Sequence, residues 1–261
     1  MFDLWLIVAG WLASSALMVA LFWLQKRIGD AGIVDVAWSL GVAAVAVLYA
    51  VGGPGLAERK AIVLIVVLVW AVRLAFHVWV RMRRLPHDGR YQALEREWGA
   101  TADARMFRFY QMQALGIVLF SLPVLFALRN PVPLSGWDWL GLGIGILAIA
   151  LESHADWQLT QFRRKPSNRG QVCQVGWWRY SRHPNYFFEW LHWWAYVALA
   201  ITWQPWGWMA IMGPLAMWYF ITRVTGIPPT EAQAIRSRGD AYRRYQQSTS
   251  PFFPWFSQRA N

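Results

Sequence analysis

The chain has 261 residues, of which 57% are hydrophobic and 15% charged; a soluble domain carries roughly 25% charged residues, so the membrane class is the starting point. A net charge of +11 would point to nucleic acid on a soluble protein. Here apolar stretches long enough to span a bilayer separate the basic residues, which removes nucleic acid and leaves anionic headgroups or an anionic ligand as partners.

A spanning helix needs about 20 mainly apolar residues. Such windows fall at 2–24, 34–51, 61–80, 112–128, 137–155, 187–202 and 206–221, which makes about seven helices. The first window lacks a basic leader and a small-residue cleavage site, and is read as a retained helix. Gly53-Pro54-Gly55, Pro131-Val132-Pro133 and Trp203-Gln204-Pro205 punctuate neighbouring helices. The 20 tryptophans suit membrane interfaces, where an apolar ring with one N–H donor is well placed. A basic amphipathic tail over 229–256, with Thr230 capping its start, is expected to lie along the membrane. The expected fold is an all-α polytopic membrane protein, one domain over residues 1–261, and a monomer.

Orientation follows from Lys and Arg. One side collects Lys26 and Arg27, the arginines between 81 and 108, the run from Arg163 to Arg182, and the tail from Arg223 to Arg259. The other side has Arg59, Lys60 and Arg129 alone. The N-terminus is therefore expected outside and the C-terminus in the cytoplasm, with the long polar segments cytoplasmic and available for function.

The densest set of chemistry-bearing residues lies between 152 and 189. Glu152, Asp156 and Leu159 share one helix face; the carboxylates either pair with nearby arginines or serve a ligand. Arg163, Arg164 and Lys165 are either stop-transfer charges or a phosphate site. Asn185 and Glu189 stand one turn apart at a helix start fixed by Pro184, and could bind hydroxyls or a carboxamide. His183 precedes that proline and has no second ligand set at metal spacing, so a metal is not expected. Asp35, in the first turn of the second helix, is either a protonated donor in an apolar setting or an interfacial residue beside Asp30 and Lys26. Arg73 would partner it, and Trp38 and Trp70 would wall a flat apolar substrate. In the tail, Glu231, Tyr242 and Tyr245 could face a ligand.

Tyr180-Ser181-Arg182-His183-Pro184-Asn185-Tyr186-Phe187-Phe188-Glu189, with Glu152, Asp156, Arg164-Lys165-Pro166 and the tail from Tyr242 to Pro254, resembles the steroid 5-alpha-reductase superfamily, in particular its bacterial integral-membrane branch. The similarity is strongest over residues 145–256. It implies a protein of the bacterial inner membrane that binds NADPH from the cytoplasmic side. The reaction implied is reduction of the C4–C5 double bond of 3-oxo-Δ4 steroids, or of a similar lipophilic enone entering from the bilayer.

By the same resemblance, Glu152 and Asp156 would face the adenosine or phosphate half of the cofactor, and Arg163, Arg164 and Lys165 its phosphates. Asn185 and Glu189 would hold the nicotinamide end, with Arg179, Tyr180, Arg182, His183 and Tyr186 close by. Arg90 and Tyr91 would come from the first long loop, and Glu231, Tyr242 and Tyr245 from the tail. The resemblance gives Asp35 the ketone oxygen; Val34 and Trp70 stand where the steroid reductases have other donors, which bears on the substrate. The rival expectation is a membrane methyltransferase of the isoprenylcysteine or phospholipid type, which shares the Arg-His-Pro segment and uses S-adenosylmethionine.

Overall fold

The computed structural model describes residues 4–84, 96–202 and 205–256. They are helical, linked by turns and one isolated parallel bridge between Ser181 and Ser250. The long helices are α1 (Leu4–Ile28), α2 (Ile33–Gly52), α3 (Ala57–Arg84), α4 (Ala102–Leu128), α5 (Gly136–Arg164) and α6 (Pro184–Ala200). Shorter ones follow: α7 (Met212–Tyr219), α8 (Ile227–Arg238) and α9 (Asp240–Ser248). Four helical runs among the described residues are long and apolar enough to cross a membrane: α1, α2, α3 and Arg96–Leu128. They mark an integral membrane protein. Arg90 and Tyr91, and the Trp203-Gln204 corner, lie outside the described residues.

The chain divides into two compact units, one of residues 1–138 and 199–210, the other of 139–198 and 211–261. In the first, α2 packs on α1, α3 and α4, and α1 also packs on α4. Small residues permit the close approach, as expected where lipid gives no hydrophobic drive between helices. A Cβ on Gly41 would fall 2.5 Å from Ile117 Cδ1, and one on Gly10 would fall 3.0 Å from Val45 Cγ1. Leu4, Trp5, Val8, Trp11 and Leu12 on α1 stay exposed, as lipid-facing side chains should.

The first unit is locked at one end by a buried ion pair. Arg59 and Asp138 are each 1% exposed. Arg59 Nε donates to Asp138 Oδ1 at 2.6 Å and Nη2 to Oδ2 at 3.0 Å, a bidentate fork. Arg59 Nη1 also donates to the carbonyls of Asn130 and Val132. Lys60 Nζ donates to the Gly53 carbonyl and Arg129 Nη1 to that of Pro54. The three cations that the sequence leaves on the sparse side are thus bound by the chain itself.

In the second unit the segment after α5 is pinned back on it, with Trp178 Nε1 donating to the Ala155 carbonyl at 2.9 Å. The tail is stitched to the segment ahead of α6. Arg182 N donates to the Ser250 carbonyl, Ser181 Oγ to that of Phe252, and Trp255 N to that of Tyr180. Phe252 packs edge-on against Phe187 and Trp190.

Three expectations about elements need correction. The helix expected at 112–128 begins at Ala102, because Met106 and Tyr110 are buried although arginines flank them. The window 206–221 is not one regular helix: Pro205–Trp208, a 3-10 turn, α7 and a π-turn at Phe220–Val224 follow one another, with Pro214 unable to donate a helix hydrogen bond. The tail is two helices rather than one, broken at Gly239 with φ +52°, a left-handed conformation that glycine accepts. Thr230 is inside α8, which starts at Ile227 with Pro228 and Pro229 in its first turn and no side-chain cap.

Candidate functional site

The sequence-expected residues that come together do so in the second unit, where α5 meets the start of α6. Pro184 sets the first turn of α6, where its missing N–H has no cost. Glu152 and Asp156 lie one turn apart on α5, both buried. Asn185 Nδ2 donates to Asp156 Oδ1 at 3.1 Å, whereas its Oδ1 is buried without a hydrogen-bond partner in the protein. One turn on, Glu189 is buried and accepts from Trp193 Nε1 at 3.3 Å. The resemblance put Asp156 and Asn185 at different ends of a cofactor; in the structure the two side chains are hydrogen-bonded to one another.

The cations at the end of α5 are arranged differently. Arg163, Arg164 and Lys165 are exposed, as are Arg169 and Arg179. Lys165 lines a cavity of about 510 Å³ with Trp157, Gln158, Gln161, Phe162, Ser167, Asn168, Val175 and Gly176. Gly176 has φ +56° and a Cβ there would fall 2.1 Å from Gln158 Nε2, so glycine is what lets this loop lie on the α5 surface. Gln158 Oε1 in turn accepts from Trp177 N at 2.9 Å.

Arg182, His183, Glu231 and Tyr242 form a network of their own. Glu231 Oε1 accepts from Arg182 Nε at 2.7 Å and Tyr242 Oη at 3.3 Å, and lies 3.1 Å from His183 Nε2. Its Oε2 accepts from Gln246 Nε2 at 2.7 Å. Burial alone would raise the Glu231 carboxyl, but the hydrogen bonds from His183, Arg182 and Gln246 outweigh it and hold the pKa at about 2. Burial pushes His183 down, against the pull of Glu231. It pushes the Tyr242 hydroxyl up, and the Glu231 charge adds to that.

Arg182 Nη1 also donates to the carbonyls of Gln246 and Thr249. Tyr245 Oη donates to the Trp178 and Ser181 carbonyls. Arg182, Glu231, Tyr242 and Tyr245, expected to face a ligand, are therefore held by the protein and join the tail to the entry of α6. Tyr186 stacks on His183 with centroids 5.3 Å apart and meets Thr230 Oγ1 at 3.2 Å. Tyr180 is half-buried and packs edge-on against Phe256.

Asp35, Trp38 and Trp70 belong to the first unit. Asp35 is half-buried in the first turn of α2, and Arg73 is half-buried in α3. Trp38 and Trp70 pack edge-to-face on one another, centroids 6.1 Å apart, and Trp38 does the same with Phe120. Trp70 is fully buried and Trp38 is half-buried. Sequence reasoning missed Gln246, Ser181 and Trp178, whose roles are tertiary. It also passed over His192 and Tyr196, for which a signal existed: two ionisable groups one turn apart within an apolar helix.

A family model described as a protein of unknown function, DUF1295, matches residues 21–249. The chain belongs to that family. No curated protein and no solved structure matches it.

The nicotinamide end of NADPH is a carboxamide with two N–H donors. Asn185 Oδ1, buried and without a protein donor, and the Glu189 carboxylate one turn away are two acceptors on the same helix face, so the residues present fit that group.

Proposed function

We propose that this chain is a membrane-embedded reductase of the steroid 5-alpha-reductase type, which uses NADPH to reduce the activated carbon–carbon double bond of a lipophilic enone such as a 3-oxo-Δ4 steroid. The observation that carries the reading is the buried carbonyl oxygen of Asn185, which has no hydrogen-bond partner in the protein, fixed by Asp156 and followed one turn later by Glu189. When bound, the cofactor supplies a hydride to the β-carbon of the enone.

The chain's own residues do the rest. Asp156 accepts the Asn185 amide N–H and so fixes its orientation, and Asn185 and Glu189 would hold the carboxamide end of the cofactor. Glu231, through Arg182 and His183, sets the path of the chain into Pro184 and the first turn of α6. Arg163, Arg164 and Lys165 offer exposed positive charge to phosphates. By the resemblance, Asp35 holds the ketone oxygen.

Charge supports this reading over a methyltransferase. A phosphorylated dinucleotide is strongly anionic and is drawn to the exposed cations at 163–165, 169 and 179, whereas a sulfonium cofactor is repelled by them. On the same reading the cation-rich segments lie in the cytoplasm, in a bacterial inner membrane, and the substrate enters from the lipid. The test is a thermal shift in detergent. Stabilisation by NADPH and not by S-adenosylhomocysteine is expected, and the reverse would overturn the proposal.

A further inference from the structure

The cavity at the end of α5 lies across that helix from the buried carboxylates. At the α-helical repeat, Gln158 and Gln161, which line it, point roughly half a turn away from Glu152 and Asp156. The cavity face runs back along α5 as an exposed stripe. Trp139, Gly143, Ile146, Ala150, His154 and Trp157 recur at steps of three and four, and all are exposed. Leu140 and Leu147 are exposed beside them. At the helical rise, Trp139 and Trp157 stand roughly 27 Å apart along the axis, against about 30 Å for the hydrocarbon core of a bilayer. Tryptophans at the two ends of such a stripe match the two interfaces of a membrane. The cavity starts at Trp157, which sets it at the depth of the headgroups. Its lining fits that depth. Trp157, Phe162 and Val175 are apolar, whereas Gln161, Lys165 and Ser167 bring amide, ammonium and hydroxyl groups, and no carboxylate lines it.

We propose that this cavity binds the headgroup of an anionic glycerophospholipid, with the acyl chains lying along the exposed stripe of α5. The proposal does not rest on the reductase reading. A volume of about 510 Å³ is within the usual size of a small-molecule site. Lys165 meets the phosphodiester, and its aliphatic stem can lie along the apolar wall while the ammonium reaches the charge. Gln161 and Ser167 meet the headgroup hydroxyls, and the Trp157 ring covers the glycerol backbone at the interface. A soluble phosphate would use the cation and leave the stripe bare; a lipid uses both. Of the three cations at the end of α5, Lys165 is the one that lines the cavity, which leaves Arg163 and Arg164 to the phosphates of a dinucleotide.

The test is native mass spectrometry of the full chain in detergent, after incubation with equal amounts of phosphatidylglycerol and phosphatidylcholine of the same acyl chains. The wild type is expected to retain one phosphatidylglycerol in preference to phosphatidylcholine. Lys165→Ala is expected to weaken that retention about five-fold, the worth of one basic side chain at an anionic lipid. Ser167→Trp, which fills the cavity and keeps every charge, is expected to abolish it. Arg243→Ala, which removes an exposed cation of α9 outside the cavity lining, is expected to leave it unchanged. Lys165 and Ser167 are both exposed, so each variant is expected to melt as the wild type does. Lys165→Ala decides alone should the bulkier variant not fold. Absence of a preference in the wild type overturns the proposal, as does wild-type retention in a folded Lys165→Ala or Ser167→Trp. Equal losses in Lys165→Ala and Arg243→Ala overturn it too, because the attraction then belongs to the basic surface at large. So does displacement of the lipid by NADPH or by pyrophosphate, which would give the cavity to a soluble phosphate.

Discussion

Asn185 and Asp156, 29 positions apart in sequence, are joined by one hydrogen bond of 3.1 Å from Nδ2 to Oδ1. The bond commits the NH₂ end of the amide to the carboxylate, and the carbonyl oxygen is buried without a hydrogen-bond partner in the protein. Asn185→Ala is therefore expected to weaken NADPH binding by about tenfold, the worth of one hydrogen bond of about 1–1.5 kcal/mol. Fluorescence titration in detergent measures it, with Glu189→Gln as a second variant expected to fall in the same direction. Unchanged affinity in both would remove the carboxamide from this face of α6.

Glu231 is expected to matter to the fold. Its carboxylate holds Arg182, a cation 9% exposed, so Glu231→Ala leaves a buried charge without its counter-ion. Breaking such a pair costs about 3–5 kcal/mol. The melting temperature should drop well below that of an exposed control such as Asp240→Ala, whose partner Arg243 is also exposed.

The same network gives a pH dependence with a definite sign. His183 has a lowered pKa in the folded chain, so its contribution is complete above the unfolded value near 6.5 and is lost as pH falls below it. Glu231 is held at about 2, so its contribution is complete above the unfolded value near 4.3 and is lost as pH falls from there towards 2. Limited proteolysis of the tail from pH 7 to pH 3 should show protection weakening in that order. Glu231→Gln should show little change between pH 5 and pH 3.

The buried fork at the end of the first unit predicts strong coupling. Arg59→Ala or Asp138→Ala alone leaves one charge at 1% exposure without its partner, and each should cost about 3–5 kcal/mol. The double variant should cost clearly less than the sum of the two. Detergent melting of the four proteins gives the coupling, and additive losses would contradict the pair's importance.

Much of the fold was legible because long apolar windows are: α1, α2 and α3 start and end within a few residues of their windows, apart from polar extensions such as Lys26-Arg27 on α1. The ends that moved did so where burial and polarity disagree. At the start of α4, Met106 and Tyr110 are buried close to the exposed Arg105 and Arg108, which an apolar window does not register. In the tail, one glycine in a left-handed conformation turns one expected helix into two. The candidate site was legible as residue types: the carboxylates of α5, the amide and carboxylate of α6, and the basic segment. Which of them face a ligand was not, because Arg182 and Glu231 look equally functional in sequence and are joined only by the fold.

The exposed cations make a further prediction that leaves the fold untouched. Arg163, Arg164 and Lys165 are all exposed, so replacing the three with alanine should leave the melting temperature within a degree or so. NADPH affinity in the wild type should fall with added salt, and that dependence should flatten in the triple variant, because charges at the surface are screened over about 10 Å at 0.1 M. A salt dependence equal to the wild type would move the phosphates away from the end of α5.

The central claim is that the chain reduces a lipophilic enone with NADPH, and the most direct measurement is NADPH oxidation by the purified protein with a panel of 3-oxo-Δ4 steroids, read by product mass. The account predicts loss of NADPH matched by a product two hydrogens heavier than the substrate. An unchanged panel, with S-adenosylhomocysteine and not NADPH stabilising the protein, would contradict it.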